Sequence, residues 1–122
     1  MPAQDELARF IRSNFGSVWT LELLLHLRRV GRAMSRSELV AGLRASEAVV
    51  TNAIASLFSA GLVMIEDEQH VRYAPASPDL DLLAERAAVL YAQKPDAVRR
   101  MIVTAVGDPA AAFSDAFRFR RD

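Results

Sequence analysis

The chain has 122 residues, no cysteine, 52% hydrophobic residues and 15 Lys+Arg against 15 Asp+Glu. At this length a single domain buries roughly two thirds of the surface its unfolded chain exposes, so neither disulfides nor a structural metal is needed, and thiol chemistry and Cys-based zinc sites are excluded. The hydrophobic content excludes a disordered chain, and a formal net charge of zero argues against a protein that coats nucleic acid by bulk electrostatics.

The first segment carries Leu7, Phe10, Ile11 and Phe15 at helical spacing. A short helix is expected from about Asp5 to Asn14, separated by Gly16 from a second over Ser17 to Arg29. Trp19, Leu23 and Leu27 widen the apolar stripe of that second helix beyond one face, which marks it as buried. Val18 to Leu27, the longest strongly apolar stretch, is broken by Thr20, Glu22 and His26 and does not read as a membrane span. Met1 to Glu6 carries acids where a secretory signal would carry bases, so a cytoplasmic location is expected.

Ser35-Arg36-Ser37-Glu38 fits the capping box, in which the serine hydroxyl and the glutamate side chain satisfy each other's free backbone amides. The helix it starts runs only to about Leu43, because Ser46 is itself a good N-cap for the next helix, with Glu47 at the positive end of that helix's dipole. That next helix spans 47–60, with Val50, Ala53, Ile54 and Leu57 inward and Gly61 to stop it. Alternation in Val63 and Ile65, then in Val71 and Tyr73, across the polar Glu66-Asp67-Glu68-Gln69, predicts a two-stranded hairpin over 62–75 with one buried face.

Pro75 and Pro78 mark a boundary. Leu80, Leu83, Ala87, Leu90 and Tyr91 then predict a helix from about Asp79 to Gln93. Pro95 opens another, to about Val106, with Val98, Met101, Ile102 and Val106 inward. Asp108 and Pro109 look like the cap and first residue of a last short helix carrying Phe113 and Phe117 on one side. The expected division is residues 1–76 and a helical region at 77–122. Leu83, Leu90, Tyr91, Met101, Phe113 and Phe117 are the candidate dimer or partner contacts, because the apolar residues of this region exceed what so small a domain needs internally.

The helix order and the residues from Ser35-Arg36-Ser37-Glu38-Leu39 through Val50-Thr51-Asn52-Ala53-Ile54 to Gly61-Leu62-Val63 resemble the second and third helices of bacterial winged helix-turn-helix regulators of the MarR and ArsR kind. The resemblance covers about Ser17 to Pro75. The segment Ser17 to Leu24 and the tail Phe113 to Arg118 are also similar to a set of small winged-helix proteins of alphaproteobacteria, a likeness that carries no biochemical role. The implied fold is mainly α with a small β-hairpin, a winged helix-turn-helix with additional C-terminal helices. The implied function is sequence-specific DNA binding by a homodimer, with helix 47–60 in the major groove of double-stranded DNA.

On that resemblance Thr51, Asn52, Ala48 and Ser56 are the candidate base contacts, since they face away from the inward stripe; Asn52 suits the N6 and N7 edge of adenine. Arg36, Arg44, Ser46 and Arg72 are the candidate phosphate contacts. Charge is segregated to match. Arg28 to Arg44 holds five arginines against Glu38 alone, and Met64 to Pro75 is net acidic. Against this reading, no arginine or lysine lies from Ser46 to Gln69, and Glu66-Asp67-Glu68 would be repelled by phosphate. The second reading is therefore a protein-interaction adaptor that meets its partner through this acidic hairpin or the Phe/Arg tail. An enzyme is not expected, for the sequence has no nucleophile-base pair and no phosphate-binding glycine loop. Neither a metal nor a cofactor is expected, since His26 and His70 lack further ligands at metal spacing.

Overall fold

The computed structural model describes residues 4–67 and 69–107. Among them the chain forms α1 (Gln4–Asn14), α2 (Val18–Val30), β1 (Met34–Ser35), α3 (Arg36–Leu43), α4 (Glu47–Ser59), β2 (Val63–Glu66), β3 (His70–Tyr73), α5 (Pro78–Gln93) and α6 (Pro95–Gly107). The protein is mainly helical with a small antiparallel sheet.

Local chemistry sets the helix ends. Ser17, Ser35, Ser46 and Ser77 each sit in extended backbone, and each hydroxyl accepts from an amide of the first turn that follows. At Ser35 the box is complete: the Ser35 hydroxyl accepts from the Glu38 amide at 3.1 Å, and the Glu38 carboxylate accepts from the Ser35 amide at 3.0 Å. Gly31 ends α2 and Gly61 follows the end of α4, both at positive φ where a glycine costs least. Arg44 closes α3 in the same left-handed region, at φ 55°.

The sheet departs from the expected hairpin. It has three strands in the order β1-β3-β2, because Met34 and Ser35, just before the α3 cap, pair with Val71 and His70. This central place for β3 explains a second difference. Val71 is covered on both sides and buried, whereas Ile65, opposite it on the edge strand β2, stays 37% exposed. The buried face of β2 therefore reduces to Val63.

One continuous core crosses the expected boundary at residue 76. Leu21, Leu23, Leu24 and Leu27 of α2 pack with Leu39 of α3 and with Val50, Ile54 and Leu57 of α4. Leu83, Ala84 and Ala87 of α5 and Val98 and Ile102 of α6 belong to the same buried cluster. The link is α1, which lies against both α5 and α6; its Phe10 ring meets Phe15 edge to face at 5.6 Å. The excess of apolar residues expected in the C-terminal helices is thus largely consumed inside the chain. Leu83 is buried, and Leu90, Tyr91 and Met101 pack against the core. The physical reason is α1, whose inward Leu7, Phe10 and Ile11 have to be covered by something. Phe113 and Phe117 lie outside the described residues.

Two hydrogen bonds tie α5 down. The Tyr73 hydroxyl donates to Asp81 at 2.6 Å, and the Tyr91 hydroxyl donates to Glu22 of α2 at 3.1 Å. Burial and the facing carboxylate both push the Tyr73 phenol well above its ordinary range, and burial and Glu22 raise Tyr91, so both stay protonated donors. No helix among the described residues is long and apolar enough to cross a membrane.

Candidate nucleic-acid interface

The surface of α4 follows from its own periodicity. With Val50, Ala53, Ile54 and Leu57 turned inward, Ala48, Asn52, Ala55, Ser56 and Ser59 fall on the far side, and all are exposed. The outer face of α4 is exposed, uncharged and made of short side chains; toward its C-terminal half Ala55, Ser56 and Ser59 border a pocket with Ser13, Asn14 and Gly16. Three of the four expected base contacts, Ala48, Asn52 and Ser56, stand on it.

Thr51 is different. It is half-buried, at the edge of the outer face, and its hydroxyl accepts a 2.8 Å hydrogen bond from the Arg36 guanidinium of α3. Arg36, expected to hold phosphate, is therefore a strut between the two helices. A groove of about 270 Å³ lined by Arg36, Ser37, Val40, Ala41 and Glu47 separates α3 from the start of α4. Fifteen residues separate the strut's two ends, and no local pattern in the sequence announces it.

The other expected phosphate contacts fare unequally. Ser46 is exposed, and its hydroxyl is engaged by the Val49 amide as the cap of α4. Arg44 is exposed at the turn between the helices and has no ion pair among the described residues. Arg72 of β3 is paired across the sheet with Glu66 of β2 at 3.0 Å, so the charge expected to meet a phosphate already faces a carboxylate. Such an exposed pair contributes about 0–1 kcal/mol.

Around these residues the arginines of the segment 28–44 are mostly occupied. Arg32 pairs with Glu38 at 3.0 Å, and that hydrogen bond, with the Ser35 amide, holds the Glu38 carboxyl at about 2 against an ordinary 4.5. Arg28 lies 6.0 Å above the Tyr73 ring. Arg29 is exposed. At the tip of the hairpin, Asp67 accepts from His70 at 3.0 Å, which lowers the Asp67 carboxyl below its usual range. Glu68 lies outside the described residues.

The arrangement thus places one uncharged helix face beside Arg36 of α3 and Arg44 of the α3–α4 turn, with an acidic hairpin following α4 in the chain. Sequence comparison adds no relative: no family model, curated protein or solved structure matches the chain.

Proposed function

We propose that the chain is a winged helix-turn-helix protein that binds double-stranded DNA in a sequence-specific way as a homodimeric transcriptional regulator. The observation that carries the reading is the order α2, β1, α3, tight turn, α4, β2, β3. In that order the outer residues of α4 are left exposed, the hairpin β2–β3 follows directly from the Gly61 turn, and β1, from before α3, completes the sheet on β3. The scaffold positions α4 by burying α2 against its inner face, so its outer residues are held on a rigid element. Asn52 is the residue expected to discriminate a base, Ala48 and Ser56 are small enough to allow close approach, and Arg36 and Arg44 hold the backbone beside the helix N-terminus.

Two to four usable arginines per protomer give a shallow salt dependence and weak binding by a single protomer, and two protomers double the count. The exposed Val89 and Val103 and the C-terminal residues beyond 107 are what remains for such pairing once Leu83, Leu90, Tyr91 and Met101 are committed to the core. Mobility-shift titration of the folded protein against fragments of its own genome at low salt is the direct test. A specific complex that Asn52→Ala relaxes at one base position, by about 1–3 kcal/mol, supports the reading; no specific complex defeats it.

A second reading is favoured by one observation, the absence of free positive charge on the α4 and hairpin side: residues 46–69 contain no arginine or lysine, and Arg72 is paired. In it the same face binds a protein, and the acidic hairpin meets a basic partner. Affinity capture separates the two. A partner protein lost on Glu66→Lys, with no DNA recovered, supports the adaptor, and recovery of DNA excludes it.

A further inference from the structure

Arg86 of α5 has a buried Nε with no hydrogen-bond partner among the described residues. Native proteins rarely strand a buried donor, because it loses its water without replacement. Arg86 also lines a groove of about 500 Å³ between α1 and α5, where Leu7, Leu82, Val89 and Leu90 supply apolar surface and Glu85, Arg86 and Gln93 the polar edge. Leu82, Arg86, Val89 and Gln93 recur at steps of four, three and four, so they form one stripe along α5, beside the buried stripe of Leu83 and Ala87. Covering the core requires only the second stripe. The first leaves Val89 51% exposed next to a stranded guanidinium N–H.

The chain itself carries what this groove lacks. Beyond α6, residues 108–122 include Phe113 and Phe117, four apart. They follow directly from α6, which packs against both walls of the groove, α1 and α5. The six residues from Gly107 to Phe113 reach up to about 20 Å when extended, about the length of α6 itself. Tethering also keeps that tail at an effective concentration that a free partner does not reach.

We propose that residues 108–122 dock in the α1–α5 groove of their own chain, with Phe113 and Phe117 against Leu7, Leu82, Val89 and Leu90. The proposal does not rest on DNA binding; where it holds, Val89 and the tail are taken up within one chain, and the pairing of protomers falls to other exposed residues such as Val103.

The cysteine-free sequence makes the test direct. Ala116→Cys is combined in the full-length chain with Glu85→Cys or Gln93→Cys on the groove, or with Met64→Cys on exposed β2 as the reference. All three partner positions are exposed, so the fold is undisturbed. Docking predicts an intrachain disulfide at one groove position that forms at least about tenfold faster than at Met64. Equal rates, or cross-links only between chains, overturn the proposal. As a second readout, maleimide should label Val89→Cys at least about tenfold faster once Phe113→Ser and Phe117→Ser are added; an unchanged rate also overturns it.

Discussion

If the Arg36–Thr51 strut holds α3 against α4, its two ends must be energetically coupled before any nucleic acid is present. The hydrogen bond is 2.8 Å long, charge-assisted and half-buried. Hydrogen bonds to charged groups contribute about 1.5–3 kcal/mol when well desolvated, and partial exposure here brings the expectation to about 1 kcal/mol. Thr51→Val removes the acceptor at nearly constant volume and should cost that amount. Arg36→Ala removes the donor and the packing of its alkyl stem, for about 1.5 kcal/mol. The double variant should also cost about 1.5 kcal/mol, leaving a coupling of about 1 kcal/mol. Urea unfolding followed by circular dichroism resolves this, since a slope of about 2 kcal/mol per molar turns 1 kcal/mol into a midpoint shift of about 0.5 M. Singles that add to within about 0.3 kcal/mol would refute the strut. Fluorescence anisotropy with duplex DNA then separates strut from phosphate contact: Arg36→Ala should lower the slope of log affinity against log salt by about 1, and Thr51→Val, which frees Arg36, should leave it unchanged.

The acid dependence of the α3 cap has a definite sign. Glu38 is held at about 2, below its ordinary 4.5, by Arg32 and the Ser35 amide. Its contribution is therefore complete above about pH 4.5 and disappears as pH falls toward 2. The melting temperature of Glu38→Gln should lie below that of the unaltered chain at pH 7, and the gap should close between pH 4.5 and 2. A gap that is constant across this range contradicts the assignment. Gly61→Ala places a Cβ at φ +76°, 3.3 Å from the Ala76 Cβ, at the junction of α4 and β2. Strain of about 1–2 kcal/mol is expected, which lowers the melting temperature by about 4 °C per kcal/mol; an unchanged or raised value would show that the turn relaxes at no cost.

The uncharged face of α4 bears directly on affinity. Phosphate neutralisation supplies most non-specific DNA affinity, and under the proposed DNA-binding reading it would come chiefly from Arg36 of α3 and Arg44 of the α3–α4 turn. Pairing of Arg32 with Glu38 and of Arg72 with Glu66 lowers the free charge further. Binding in this architecture would rest on groove contacts by short side chains and on the presence of two protomers.

Helix positions and most of their ends were legible from residues a few places apart. The serine caps at Ser35 and Ser46, the glycine stops at Gly31 and Gly61 and the inward stripe of α4 each depend on interactions within about one helical turn, and one sequence contains all of that information. The open residues Ala48, Asn52 and Ser56 follow from the same periodicity. Contacts between distant parts were another matter. β1 is two residues long and exists only because Met34 meets Val71, too short to show alternation. The Arg36–Thr51 strut, the Arg72–Glu66 pair and the burial of Leu83 in the shared core required the packed chain. A charge pattern records which residues are available, but the side chain that each arginine meets is chosen by the approach of helices and strands whose mutual placement no local rule encodes.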